Sequence, residues 1–393
     1  MVESPARAGF DPELLERALQ VVRSNSGADR QKHAYPGAVA VVARSGRLAA
    51  FEATGYASLE PGIPMRVDHV FDIASLTKVV ATTTAVLLLL ERGLLSLDDR
   101  VGHFFPLASG HAIGEATIKH LLTHTSGLPG WVSLYEEVPR HGGLLEAIIH
   151  APLHASPGTR VEYSCTGFIL LALLVRQLTG ESFPAFLKRE VFSPLEMKDT
   201  TFLPLDKPIP AEILPRLLPT ERRRESERGL ELASSMRSNP EWKTRHLDGD
   251  LPLGIVHDEN AAFLGGVAGN AGLFSTAADL AKFGLMFLNG GRYGDARILN
   301  PATVALATRN WTAGLGENRG LGWQLPSPGS SFGDLVSGRC FGHTGFTGTG
   351  MWMDPESGLL VILLTNRLQF GRANERVLRV RRLFLNSLAA SMV

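Results

Sequence analysis

Cysteine is scarce: Cys165 and Cys340 are the only two in 393 residues, too few for a disulfide framework. Neither sign of charge is in excess. Lys+Arg and Asp+Glu number 39 each, so the sequence offers no basic field for nucleic acid or an anionic membrane. The most apolar stretch, Val79 to Leu90, is shorter than the ~20 residues a membrane-crossing helix needs. The first residues, Met1-Val2-Glu3-Ser4-Pro5, lack the basic and then apolar order of a secretion signal. These absences predict a reduced, cytoplasmic protein with no nucleic-acid or membrane partner.

Cofactor signatures are missing too. The histidines scattered through 103–154, with His246 and His257, show no H-E-x-x-H or similar ligand spacing, so no metal is expected. The glycines of 265–272 lack the G-x-G-x-x-G spacing, the preceding strand and the acid of a dinucleotide site, so no cofactor is expected. The absence of a G-x-S-x-G elbow argues against an α/β-hydrolase. His257-Asp258 reads as a structural turn pair, and oligomeric state leaves no mark on the sequence.

What is present is organised around Asp72-Ile73-Ala74-Ser75-Leu76-Thr77-Lys78. From Val79 to Leu90 the chain carries no charge, and Glu91-Arg92-Gly93 ends it, which predicts a helix buried on every face. Ser75 and Lys78 are three apart and share one face at its start. The positive end of the helix dipole favours negative charge on the serine oxygen and disfavours a protonated lysine. Burial pushes the lysine toward neutrality as well. A serine beside such a lysine is a nucleophile with a base. The competing reading has Ser75 as a helix cap and Lys78 reaching to solvent. The S-x-x-K pattern, although it occurs once in the sequence, does not by itself decide between them.

Around this stretch the chain reads as an α+β protein. Residues 10–23 have apolar positions at helical spacing behind Asp11-Pro12. Residues 37–43 form a buried strand, with 48–53 as its hairpin partner. Helical signals dominate from Asp98 to Glu196, and Thr276 or Ser275 caps a further helix. The segment 205–250 is rich in Pro and charge, and Glu221 to Arg228 reads as solvated. A long irregular segment of this kind often overlies a site. Residues 341–353 and 359–366 read as two adjacent strands, followed by a helix over 374–390.

Two further motifs complete a constellation. Tyr163-Ser164-Cys165 precedes a long apolar helix, and His343-Thr344-Gly345 lies in a glycine-dense strand of the kind that lets a ligand approach the backbone. The order Ser75-x-x-Lys78, Tyr163-Ser164-Cys165, His343-Thr344-Gly345 resembles the serine beta-lactamase/penicillin-binding-protein superfamily, in its class C-like branch, closest to family VIII carboxylesterases. Leu121 to Leu128 and Gly269 to Thr276 are phrases typical of that branch. The resemblance implies a beta-lactamase-like fold, an antiparallel sheet flanked by helices with an inserted all-helical subdomain. Residues 1–95 with 291–393 would form the first part and 96–290 the second.

It also implies roles. Ser75 would be the acylated nucleophile, Lys78 its base partner and Tyr163 the proton relay. The amides of Ser75 and Phe346, after Gly345, would form the oxyanion hole. Two departures bear on substrate: Cys165 stands where an asparagine is common, and His343 stands where lactamases carry a lysine. Both favour a short-chain neutral ester over a beta-lactam, with D-amino-acid amides or peptides as the second reading and beta-lactams the third. An acylated sensor without turnover is the non-enzyme alternative. Cys165 is a weaker candidate for nucleophile, lacking Ser75's helix terminus and base. His343, at an ordinary histidine pKa, would make activity fall as pH drops through about 6–7.

Overall fold

The computed structural model describes residues 2–221, 246–247 and 251–393. Helix α1 (Pro12–Arg23) starts where the sequence supplies a cap, with the Asp11 carboxylate accepting the Glu13 and Leu14 amides at 2.9 Å each. Its Leu15, Ala18, Leu19 and Val22 face inward. Six strands form one antiparallel sheet: β1 (Gly37–Arg44), β2 (Arg47–Ser58), β3 (Ile63–Pro64), β4 (Phe341–Thr344), β5 (Gly350–Asp354) and β6 (Leu359–Thr365). Their order is β4-β5-β6-β1-β2-β3, so the two ends of the chain meet at the centre, where Ala38 pairs with Thr365 and Arg44 with Leu359.

Strands β1 and β6 are covered on both faces, which is why they read as unbroken apolar runs. The two-residue period still sorts their side chains. Val39, Val41, Leu360 and Ile362 enter one core, and Ala38, Ala40, Val42, Val361 and Leu363 enter the other. The second core is closed by α1 and the C-terminal helix. The first is continuous with the helical part of the molecule, including α2 (Thr84–Glu91), α3 (Cys165–Thr179) and α4 (Ala277–Leu288). Ser164 caps α3 by accepting the Gly167 amide, and Gly180, at φ 69°, ends it. Thr276 caps α4. The C-terminal helix, α5, spans Arg376–Ala390.

The single strand expected over 341–353 is instead two, β4 and β5, parted by a turn in which the Gly345 amide donates to Thr349 O (2.8 Å) and that of Gly348 to Gly345 O (3.0 Å). Of the irregular segment 205–250, residues 222–245 and 248–250 lie outside the described residues. Glu221, which the charge pattern assigned to a solvated run, is buried and paired with Arg372 and His257. Among the described residues no single helix is long and apolar enough to cross a membrane.

Candidate active site

The short strand Phe71–Asp72 pairs antiparallel with Leu273–Ser275 and fixes the chain's entry to the S-x-x-K turn. Asp72 is buried and holds two backbone amides, Ala74 N–H on Oδ1 (2.8 Å) and His257 N–H on Oδ2 (2.7 Å). Burial raises its pKa, and those amides work in the opposite direction. Ala74 adopts φ 46°, left-handed backbone that alanine rarely occupies, and the resulting turn presents Ser75 to the main cavity.

Ser75 does not open a regular α-helix as the sequence suggested. The chain winds as a wide π-helix over Lys78–Thr83 and tightens into α2 only at Thr84. Thr84 Oγ1 donates to Val79 O (2.9 Å) and so competes with the backbone ladder, whereas Thr82 Oγ1 ties the helix to Gly269 O (2.6 Å). Gly269 has to be glycine, because a Cβ there would lie 2.0 Å from Phe168 O.

Lys78 is fully buried. Its Nζ donates to Ser75 Oγ (3.1 Å), to Asn270 O (2.9 Å) and to Cys165 Sγ (3.5 Å). It also lies 4.9 Å from the Tyr163 ring centroid. Burial pushes its pKa down, but the facing Cys165 and Tyr163 push it up by more, so the net direction is upward. The push toward neutrality expected from burial is thus present but opposed by the groups that face the lysine. An acceptor shell surrounds the ammonium, and no regular helix terminus stands beneath it. The same burial raises the Cys165 thiol despite the neighbouring lysine, which weakens Cys165 as a nucleophile.

Tyr163 lies among cationic and imidazole groups. The His124 ring is 4.5 Å away, the Arg319 guanidinium 5.3 Å and the His343 ring 5.9 Å. His124 is buried, and its Nδ1 accepts the Ser164 amide (2.9 Å), so its ring proton sits on Nε2. His343 is the reverse case. Its Nδ1 faces Thr344 O at 2.8 Å, and a carbonyl only accepts, so Nδ1 carries the proton and Nε2 is a bare acceptor. Burial, then Arg319 and Lys78, hold the pKa of both imidazoles well below the ordinary histidine value.

The pH expectation for His343 is corrected accordingly. It stays neutral through pH 6–7, so its titration leaves no inflection there. The protonation appears in stability instead. In the unfolded chain these histidines take up protons near pH ~6.5, while the folded chain resists, so stability is complete above that pH and is lost as pH falls below it. The slope approaches ~1.4 kcal/mol per pH unit for each such histidine. We expect the thermal midpoint to fall between pH 6.5 and 5, and His343→Gln to fall less steeply. An equal slope in that variant would remove His343 from the account.

Gly345 and Phe346 line the cavity beside the S-x-x-K turn, and their turn is joined to it by side chains: Thr347 Oγ1 donates to Asp72 O (2.7 Å) and Thr349 Oγ1 to Ile73 O (3.1 Å). The Ser75 and Phe346 amides donate to no other described residue, as donors reserved for a ligand oxygen should. The cavity, about 640 Å³, brings together Ser75, Tyr163, Cys165, His343, Gly345 and Phe346. Lys78 lies beneath its floor. All the residues singled out in the sequence thus converge on one place.

The structure adds Arg319, Asn270 and His124. The last two lie within motifs recognised in the sequence without a role, whereas Arg319 carried no sequence signal. His257 is more than a turn residue: its Nε2 meets Glu221 Oε2 at 2.8 Å and its ring stacks on Phe346 at 5.6 Å. Asp258 caps the short helix Glu259–Phe263. Among the described residues no group of three or more His, Cys, Asp or Glu side chains is disposed to hold a metal ion.

Comparisons with known proteins bear on the family and the fold. The family model described as Beta-lactamase matches residues 22–385. A protein of Escherichia coli (strain K12) named "Putative D-alanyl-D-alanine carboxypeptidase" is 28% identical over 390 residues, covering 93% of this chain and 85% of that one. Among solved structures, "EstCE1, a hydrolase with promiscuous acyltransferase activity" superposes with a TM-score of 0.68 at 22% identity, covering 95% of this chain and 99% of the other. A class C beta lactamase from Rhodobacter sphaeroides gives 0.67 at 21% identity, with 96% and 99% covered. With the match running through nearly the whole chain and the serine, lysine and tyrosine motifs meeting in one cavity, the chain belongs to the beta-lactamase family of serine hydrolases.

Proposed function

We propose that the protein is a carboxylesterase that cleaves short-chain neutral esters through an acyl-enzyme on Ser75. The Lys78 ammonium donates to Ser75 Oγ, leaving the hydroxyl proton free to depart and stabilising the alkoxide. Tyr163, acting in its phenolate form beside the Lys78 ammonium, takes that proton and returns it to the leaving alcohol. The Ser75 and Phe346 amides receive the carbonyl oxygen as it becomes an oxyanion. Water then attacks the acyl-serine, and the relay runs in reverse.

The observation that carries the substrate class is His343. Where a lactamase would present an ammonium to a substrate carboxylate, this site presents a bare, neutral Nε2 acceptor. Of the arginines that line the cavity, Arg319 is engaged by Glu317 at 2.6 Å and Arg372 by Glu221 and Glu259, while Arg367 and Arg381 donate to backbone carbonyls. An acceptor facing a carboxylate is repulsive, whereas an ester's leaving alcohol offers the donor that Nε2 needs. The exposed Phe346 and Leu378 give the cavity mouth an apolar rim. The second reading, a D-alanyl peptidase, is favoured by the name of the Escherichia coli relative.

A matched panel of p-nitrophenyl butyrate, a D-alanyl-D-alanine peptide and nitrocefin separates these readings. We expect the ester to lead in kcat/KM by at least about tenfold, the equivalent of ~1.4 kcal/mol. Nitrocefin or the peptide in front would overturn the ester reading. His343→Lys should narrow the gap by improving the carboxylate-bearing substrates and leaving the ester unimproved.

A further inference from the structure

Two arginines that line the cavity bind the turn that carries the Phe346 amide, and neither is paired with a carboxylate of a described residue. Arg381, on α5, and Arg367, just after β6, are 3% and 6% exposed. Arg381 Nη2 donates to Thr349 O (2.8 Å) and to Gly345 O (3.4 Å). Arg367 Nε donates to Phe346 O (2.9 Å), and its Nη1 to Asn374 O (2.7 Å). Every one of these acceptors is a backbone carbonyl. Three of them belong to the turn of residues 345–349.

We propose that Arg381, assisted by Arg367, is a positioning residue for the oxyanion hole: by binding the Thr349 and Gly345 carbonyls at the two ends of the turn, it aims the Phe346 N–H at the reacting oxygen. The inference rests on the reading of Ser75 as nucleophile. The Gly345 carbonyl and the Phe346 N–H belong to one rigid peptide plane, with oxygen and hydrogen on opposite sides. The Gly348 amide (3.0 Å) and Arg381 (3.4 Å) hold that oxygen together, and anchoring it sets the direction of the hydrogen. Donation to the carbonyl also polarises the peptide, which makes its N–H the stronger donor.

Charge works in the same sense. A buried cation without a counter-ion is expensive, and an apolar side chain of like volume would serve the fold as well or better. Arg381's pKa is lowered to about 9, by burial first and by Arg367 second, with Tyr35 opposing, so it is charged at neutral pH. Positive charge beside the hole, at the cavity wall, favours the tetrahedral anion over the neutral ester. Its effect is therefore on the rate of the chemical step more than on substrate binding.

The test uses the full chain, with folding checked by thermal melts. Rates of Ser75 labelling by a fluorophosphonate, and kcat and KM for p-nitrophenyl butyrate, are compared among wild type, Arg381→Met, Arg381→Gln and Arg381→Lys. Arg381→Met should lose about 10²-fold in kcat, the size of a lost oxyanion donor, with KM within about twofold. Labelling should slow in parallel, and Arg381→Lys should recover at least about tenfold of the loss. A folded Arg381→Met that labels at the wild-type rate, or changes only KM, overturns the proposal. Where Arg381→Met does not fold, the charged Lys and neutral Gln variants decide: equal labelling rates reject it. If wild type takes no adduct on Ser75, the nucleophile reading fails first, and that failure is distinguishable from this one.

Discussion

Ser75→Ala should abolish ester hydrolysis, lowering kcat by between about 10⁴ and 10⁶ while the protein melts as wild type does. Loss of an activated serine elsewhere falls in this range, and the remaining rate over water comes from the oxyanion hole and binding. The local geometry makes the effect specific. Lys78 Nζ loses one of its three acceptors, yet the Asn270 carbonyl at 2.9 Å keeps the ammonium solvated by protein, so the site does not collapse around a bare buried charge. Initial rates on p-nitrophenyl butyrate and mass spectrometry of the fluorophosphonate adduct check it together. An Ala variant with most of its activity, beside a dead Cys165→Ser, would move the nucleophile to the thiol. A wild-type adduct that never turns over would instead make the protein a sensor.

The second large effect is expected where no functional atom is removed. A Cβ on Gly345 would lie 2.1 Å from Thr349 Oγ1, 2.5 Å from Ile73 O and 3.3 Å from the Ala74 Cβ. Two of these contacts are closer than atoms can approach, and both belong to the seam between the S-x-x-K turn and the oxyanion turn. Gly345→Ala must therefore part the seam, and the Phe346 amide moves away from Ser75. We expect kcat to fall by about 10²–10³, as on removal of an oxyanion donor, with KM little changed. Overpacking should destabilise the fold by ~1–3 kcal/mol. Gly338→Ala, where an added Cβ meets nothing within 4 Å, is the control and should match wild type in both respects. Wild-type kcat in folded Gly345→Ala would show that the seam tolerates the methyl and that the hole is not built as described.

Local chemistry made much of this legible in the sequence. The Asp11 cap, the inward stripe of α1 and the doubly covered β1 and β6 are settled by neighbours a few residues away, and their expected limits agree closely with the observed ones. The motif residues were recognisable for the same reason. What escaped depends on distant partners. Lys78 was expected to be pushed only toward neutrality because the sequence displays its burial but not Cys165 and Asn270, which lie 87 and 192 positions away. His343 was given an ordinary pKa because its burial beside Arg319 is a tertiary fact. The π-helix after Ser75 hides within a run whose apolar character suits either winding. Arg319 and Arg381 are two arginines among many until the fold places one by Tyr163 and the other beside Gly345.

The meeting of the two chain ends at the centre of the sheet also has a consequence for the order in which the protein acquires its chemistry. Contacts of this sequence separation form late and slowly, since a long loop must close before any pairing rewards it. A chain emerging from the ribosome therefore carries Ser75, Lys78 and Tyr163 long before residues 341–365 exist to supply the second oxyanion donor. The strand β1 meanwhile waits with one edge unpaired, a site for wrong pairing until β6 arrives. On the proposed mechanism the nucleophile therefore stays idle until the late strands both seal the sheet and arm the site.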